Sequence, residues 1–210
     1  MMSTNVVDNY GWSSVSSPPS CGYITPRALA LLKQYKAKRV LDLGSGNGLL
    51  CGTLKQAGYD VVGVDYDKHG VELARASFPE IPFYNFGVQD DPKELLAHQE
   101  PFDIVLSTEV IEHLFSPHLL PIYAKRVLRP GGHLIVTTPY HGYLKNLAVT
   151  LCNHWDAHHS PLWHGGHVKF WSRATLTQLF NQNGFDVVGF SGVGRCPYLW
   201  CSMFLIGKST

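Results

Sequence analysis

Apolar positions along this chain come in two alternating spacings. Short apolar runs, Val40 to Leu43, Val61 to Val64, Ile81 to Phe86, Phe102 to Ser107 and His133 to Thr138, have the length and β-branched content of buried strands. Between them apolar residues recur three and four apart, as a helix with one buried face requires. Thr25-Pro26 predicts a helix start, with Leu29, Leu32 and Tyr35 on one face. Leu50 and Leu54 carry a second stripe until Gly58, with Cys51 facing the core, and Val71, Leu73, Ala74 and Ala76 mark a third that ends at Pro79. Ser116-Pro117 opens a helix through Leu120, Tyr123, Val127 and Leu128, which Arg129-Pro130-Gly131-Gly132 breaks. Ser172 caps another through Leu176, Leu179 and Phe180 to Gly184. Phe185 to Phe190 and Leu199 to Ile206 are the last strands. Gly192 to Pro197 between them has no helical pattern, so this pair is expected to be antiparallel. The alternation predicts an α/β domain.

Two stretches fall outside that rhythm. Residues 1 to about 22 are rich in Ser, Asn and Pro, with Tyr10, Trp12 and Tyr23 interspersed, and have neither period. Residues 1–24 are therefore expected to form an N-terminal segment that folds over a ligand, with 25–210 as the body of one domain. Between the fifth strand and the next helix lie about thirty residues, Pro139 to Trp171, too many for an ordinary loop. They follow the C-terminal end of a strand, where ligands bind in open α/β sheets. This insertion, 138–171, holds six of the eleven histidines. Tyr140, Tyr143, Trp155 and Trp163 supply aromatic walls, Gly165-Gly166 permits hinge motion, and the segment is expected to be a substrate lid.

The first strand ends in Asp42-Leu43-Gly44-Ser45-Gly46-Asn47-Gly48 and passes into a helix. A dinucleotide fingerprint is Gly-x-Gly-x-x-Gly, because the backbone must lie against a pyrophosphate at a helix N-terminus. Here the spacing is Asp-x-Gly-x-Gly-x-Gly. An anionic Asp42 repels phosphate and suits a ligand carrying an ammonium and a sulfonium. Seventeen positions after Gly48, Asp65 ends the second strand, where an acid meets ribose hydroxyls. A nicotinamide-dependent oxidoreductase is disfavoured on the same residues. Together they resemble the Rossmann-like S-adenosylmethionine-dependent methyltransferases, over Val40 to the C-terminus.

The resemblance implies a seven-stranded, mostly parallel sheet with an antiparallel last strand and helices on both faces. It also implies S-adenosylmethionine as cofactor and S-adenosylhomocysteine as product, with Asp42 toward the ammonium and Gly44, Ser45, Gly46, Asn47 and Gly48 along the methionine moiety. Asp65 and Tyr66 then lie at the ribose, Val88 and Gln89 at the adenine, and Ser107 at the end of the fourth strand.

Directly after the fourth strand stands Glu109-Val110-Ile111-Glu112-His113, and downstream His167-Val168-Lys169-Phe170-Trp171-Ser172. Residues three and four apart share a helical face, so Glu109, Glu112 and His113 are expected to converge on one cation. The Glu-x-x-Glu-His segment resembles that of the ubiquinone-pathway O-methyltransferases and of the small-RNA 3′-terminal 2′-O-methyltransferases. The latter draw another histidine from a His-x-x-x-Trp element, which His167 and Trp171 match. The resemblance implies a divalent ion, Mg or Zn, that would favour the anion of a phenol whose reference pKa is about 10. Without one, a histidine must take the proton: His113 first, then His141 and His167. The remaining histidines of the insertion match no structural zinc spacing.

Composition narrows the partner. At 210 residues one domain is expected, and a net charge of +1 with both signs interspersed supplies no field to gather nucleic acid. Five cysteines without C-x-x-C spacing, a polar start without a basic leader and no apolar run of membrane length predict a cytoplasmic protein with no membrane span. The expected function is O-methylation of a small aromatic or quinol-like acceptor, with RNA 2′-O-methylation as the alternative. A catalytically inactive scaffold is the reading from another class, against which stand the intact glycine turn and Asp65.

Overall fold

A computed structural model describes residues 19–163 and 165–210 of the protein. Strands β1 (Arg39–Leu43), β2 (Asp60–Val64), β3 (Phe83–Tyr84), β4 (Phe102–Thr108), β5 (Leu128–Pro139), β6 (Phe185–Val193) and β7 (Ser202–Ser209) form one sheet in the order β3-β2-β1-β4-β5-β7-β6. The first five pair in parallel, and β7 runs antiparallel between β5 and β6. This is the Rossmann-like methyltransferase architecture. The chain builds outward from β1 to β3, then returns to place β4 on the other side of β1, and that reversal opens a crevice at the C-terminal ends of β1 and β4.

Helices α1 (Cys21–Gln34), α2 (Leu49–Gln56), α3 (Lys68–Ser77), α4 (Pro92–Leu96), α5 (Leu119–Val127), α6 (Tyr143–Leu151), α7 (Trp155–His159) and α8 (Arg173–Gln182) connect and cover the strands. Because successive strand residues face opposite ways, each central strand feeds two cores. Val40, Val61, Ile104, Leu106, Phe204 and Ile206 pack under α1, α2 and α3. Leu41, Leu43, Val62, Val64, Val105, Leu134 and Leu205 pack under α5 and α8. Burial on both faces is why these strands read as continuous apolar runs.

Several boundaries differ from the expected ones, each for a local reason. Helix α1 starts at Cys21, a turn before Thr25-Pro26, because Ile24 is buried; Pro26, inside the helix, forgoes only a bond to the carbonyl of the exposed Gly22. The N-terminal segment expected over 1–24 thus has its last residues in a helix, and residues 1–18 lie outside the described ones. Strand β3 is two residues long, an edge against β2. Helix α4 was not predicted, although Asp91-Pro92 is a cap-and-first-turn signal and the Asp91 carboxylate accepts the Lys93 N–H at 3.1 Å. Helix α5 begins at Leu119 because Ser116 and Pro117 form a turn ahead of it. Strand β5 begins at Leu128, ahead of the expected His133: Leu128 pairs with Phe102, Arg129 to Gly132 bulge out, and the ladder resumes at His133 opposite Ile104.

The insertion has helices of its own, α6 and α7, and is tied to the body at both ends. The Tyr140 N–H donates to the Cys201 carbonyl at 3.0 Å, and the His141 N–H to that of Trp171 at 3.2 Å. At its return the N–H groups of Val168 and Lys169 both donate to the Glu112 carbonyl at 2.9 Å. Among the described residues no helix is long and apolar enough to cross a membrane.

Candidate active site

The turn after β1 is held by backbone geometry that only glycine meets easily. Gly44, Gly46 and Gly48 have φ of 92°, 51° and 78°. A Cβ on Gly44 would lie 2.3 Å from Val110 Cγ2, and one on Gly48 2.7 Å from Ala74 Cβ. The glycines thus serve two ends: a left-handed turn, and contact between the turn and the segments after β4 and in α3. Asn47 Oδ1 accepts the Leu49 N–H at 3.2 Å and helps start α2. Ser45 is buried, and its hydroxyl finds no partner among the described residues.

Asp42 is 1% exposed. Its Oδ2 accepts from the Cys51 thiol at 3.2 Å, while Oδ1 is buried without a hydrogen bond among the described residues. Burial, reinforced by the Asp65 carboxylate, pushes its pKa up to about 7. Asp65 accepts the Gly46 N–H through Oδ2 and the Asp67 N–H through Oδ1, both at 2.7 Å, and burial raises its pKa as well. Two carboxylates in one crevice, one with an unfilled oxygen, fit a ligand bearing an ammonium. S-adenosylmethionine meets that requirement and a pyrophosphate does not.

The other residues expected around the cofactor are placed unevenly. Tyr66 is half-exposed beside Asp65, and Asn85 Nδ2 donates to the carbonyls of Asp65 and Tyr66 at 3.0 and 2.8 Å. Val88 and Gln89 lie in the loop between β3 and α4, where the Gln89 amide folds against Gly87. Ser107 is fully buried and donates to the Leu43 carbonyl at 2.7 Å, tying β4 to β1.

The segment after β4 is not the helical face that the sequence predicts. Glu109 has φ of 54°, and only Ile111–His113 forms a single 3-10 turn. Positive φ turns Glu109 toward β5 and β7, where its carboxylate accepts from Thr137 Oγ1 at 2.8 Å and Ser202 Oγ at 3.1 Å, and burial pushes its pKa up to about 7. Glu109 is therefore not brought together with Glu112 and His113. Instead Glu112, His113 and His167 converge, their ligand atoms all within 4.8 Å of one another. The paired bonds to the Glu112 carbonyl put His167 there, by fixing the two residues that follow it.

Glu112 is 1% exposed, and among the described residues neither carboxylate oxygen has a hydrogen bond of normal geometry; the Thr138 hydroxyl lies beside it but off line. Burial, with Glu109 close by, pushes its pKa well up. His113 Nδ1 lies 2.8 Å from the Gly165 carbonyl, so that nitrogen carries the proton and Nε2 offers its lone pair. Burial lowers the pKa of His113, and burial together with His113 lowers that of His167 to about 4. Trp163 stands edge-on to both rings at 5.7 Å.

His141 joins a different group. Its ring lies 6.0 and 5.7 Å from those of His158 and His159 on α7, and burial, with the nearby Lys145 charge, lowers its pKa to about 4. Trp171 of the His-x-x-x-Trp element is part of the core under α8. Lys145 and Ser202 were missed at the sequence level. Ser202 gives no signal in sequence, whereas Lys145 breaks the apolar pattern of α6.

Comparison with known proteins agrees with this geometry. Residues 21–189 match the family model described as a methyltransferase domain. The ubiquinone biosynthesis O-methyltransferase of Roseobacter denitrificans is 32% identical over 178 residues, 83% of this chain and 70% of that protein. The protein of the same name from Cereibacter sphaeroides is 30% identical over 179 residues, with the same coverage. Magnesium protoporphyrin IX methyltransferase from Synechocystis, solved with bound S-adenosylhomocysteine, shares the fold at a TM-score of 0.67 and 17% identity, over 89% of this chain and 82% of that one. The chain belongs to the methyltransferase-domain family, and is an S-adenosylmethionine-dependent methyltransferase related to the ubiquinone biosynthesis O-methyltransferases.

Proposed function

We propose that the protein methylates an oxygen of a small aromatic, quinol-like acceptor, with a divalent cation held by Glu112, His113 and His167 and with residues 138–171 covering the acceptor. The observation that carries this reading is Glu112: a buried carboxyl with both oxygens unfilled among the described residues, beside the imidazoles of His113 and His167, whose pKa values burial lowers. Such a set is a poor arrangement for any purpose except holding positive charge. The two relatives named as O-methyltransferases support oxygen as the acceptor atom.

Bound in the crevice, S-adenosylmethionine supplies an electrophilic methyl group on a sulfonium. Asp42 neutralises its ammonium, Asp65 accepts from the ribose, and the turn from Gly44 to Gly48 fixes the methionine portion. A cation held by the triad would supply the charge that favours a phenolate over a phenol. The Gly165 carbonyl orients His113 by accepting a hydrogen bond from its Nδ1–H, the tautomer in which the ring would offer its other nitrogen to a cation. A pKa of about 4 makes His141 and His167 weak proton acceptors at pH 7, so these side chains suit ligation and walling better than general base catalysis. Holding both reactants in attack geometry supplies on the order of 7–11 kcal/mol of the acceleration.

The test is methylation of catechol, followed by mass spectrometry, with Mg²⁺ or Zn²⁺ supplied and then removed by EDTA. The O-methyl product is expected only with the cation, while S-adenosylhomocysteine binding by calorimetry is unchanged by EDTA. Full turnover in EDTA would remove the cation from the mechanism and leave His113 as base.

A further inference from the structure

Asp42 is buried where the sheet meets α2, and the side chain that holds it there is a thiol. Side chains alternate along β1, so Asp42 shares with Val40 the face that packs under α2, while Leu41 and Leu43 take the other. Cys51 lies in the first turn of α2 and belongs to the Val40 cluster. Of the five cysteines it is the buried one. Packing alone asks for any small apolar side chain at this position. What cysteine adds is a donor, and that donor is spent on Asp42 Oδ2 at 3.2 Å.

The carboxyl it meets is otherwise poorly supplied. Among the described residues Oδ1 has no hydrogen bond, and the Ser45 hydroxyl has none either. Both groups stand at Gly63: Asp42 is its register partner on β1, and a Cβ on Gly63 would lie 2.9 Å from Ser45 Oγ. The N–H groups of Gly44 and Ser45 donate to the Val64 carbonyl at 2.8 and 3.0 Å, which draws the turn over the end of β2, next to Asp65. The titratable groups facing Asp42 are Cys51 from α2 and Asp65 from the end of β2, and among the described residues no cation joins them. A thiol is a weak donor. It fixes which way the carboxyl points without supplying the positive charge that a buried carboxylate lacks.

We propose that Cys51 is a positioning residue for cofactor binding: its thiol pins Asp42 Oδ2 against α2, so that Oδ1 is turned to the ammonium of S-adenosylmethionine. This rests on the pairing of Asp42 with that ammonium proposed above. The same bond tunes the titration of the site, because a donor favours the ionised carboxyl. Removing the donor keeps Asp42 protonated to higher pH, and a stronger donor ionises it at lower pH. Burial, with the Asp42 carboxyl beside it, pushes the Cys51 pKa well up, so the thiol stays a donor throughout the neutral range.

The test measures S-adenosylhomocysteine affinity of the full chain by calorimetry from pH 5.5 to 8.5, in the natural protein and in Cys51→Ala, Cys51→Ser and Asp42→Asn. The readout is the pH at which affinity reaches half its plateau. Cys51→Ala should move that midpoint up by about half a pH unit and weaken binding about threefold or more at pH 6.5. Cys51→Ser, a stronger donor of nearly the same volume, should move it down and keep the affinity at pH 8.5. A midpoint unmoved in either variant, or moved the same way in both, would overturn the proposal, since a side chain that only packs leaves the titration of its neighbour alone. If Cys51→Ala does not fold, Cys51→Ser decides. Asp42→Asn should weaken binding about tenfold or more at pH 8.5 and flatten the profile. An unchanged affinity there, or a flat profile in the natural protein, would refute the Asp42 contact and this proposal with it, whereas a loss in Asp42→Asn with unmoved midpoints at Cys51 refutes the role of the thiol alone.

Discussion

The turn after β1 and the insertion after β5 both lie at C-terminal strand ends, yet they hold their polar groups in contrary ways. In the turn, Asp65 is locked by two backbone N–H groups, Gly46 and Asp67, and all three glycines have the positive φ that the bend demands. In and beneath the insertion, among the described residues, Glu112 has no well-formed partner, Lys145 has one, and Leu151, Leu162 and Trp155 face outward. On the proposed reading, the cofactor half is preorganised by the sheet and the acceptor half is completed by what it binds. Among the described residues, Asp42 Oδ1 and the Ser45 hydroxyl are where the first half shares the character of the second.

The contrast is sharpest at Glu112. Glu112→Gln keeps the shape of a side chain whose pKa burial pushes well up, so the fold should survive with its thermal midpoint little changed. Turnover should fall about 100-fold or more as the cation is lost. Metal content and S-adenosylhomocysteine affinity measured on the same sample separate the halves: the first should vanish and the second stay. A parallel loss of cofactor affinity would break the comparison.

On the cofactor side, Asp65→Ala removes the acceptor for the Gly46 and Asp67 N–H groups as well as that for the ribose. Affinity for S-adenosylhomocysteine should drop about 10- to 100-fold, the scale of one or two charge-assisted hydrogen bonds. An unaltered affinity would show that Asp65 serves the turn alone.

The smallest effect is a pH dependence at Asp42. Its carboxyl has a pKa of about 7 in the fold against 3.8 for a free one, so the folded chain holds an extra proton between those values. The ligand-free fold therefore loses stability as pH rises from about 4 to about 7. Cofactor binding runs the opposite way, since the ammonium pairs with the carboxylate. Affinity should rise up to about tenfold per pH unit below 7 and level off above it. A flat profile from pH 5.5 to 7.5 would remove Asp42 from the contact.

Much of the cofactor half was legible beforehand because its causes are local. A bend after a buried strand needs residues tolerant of positive φ, and three alternate glycines announce it. The acid ending the next parallel strand lands opposite the turn because parallel neighbours share a register: Asp42 pairs with Gly63 and Leu43 with Val64, one residue before Asp65. The antiparallel final pair was legible too, from a connection without a helical pattern. Glu109 was assigned to the wrong group because i, i+3, i+4 spacing converges only in an α-helix, and the strand exit at Glu109 is left-handed instead. His141 was grouped with His113 and His167 by chemistry, but its ring is fixed by α7.

The chain's residue pattern on its own determined the α/β alternation, the glycine turn, the pair Asp42 and Asp65, and the His-x-x-x-Trp element, since each follows from backbone sterics or strand period within a short stretch. Only the tertiary structure decided that Glu112, His113 and His167 meet while Glu109 turns away to Thr137 and Ser202. It also decided that Lys145 points inward. The direction of a side chain on an inserted helix depends on what lies beneath that helix, and here what lies beneath comes from β4, β5 and β7, brought together by the sheet.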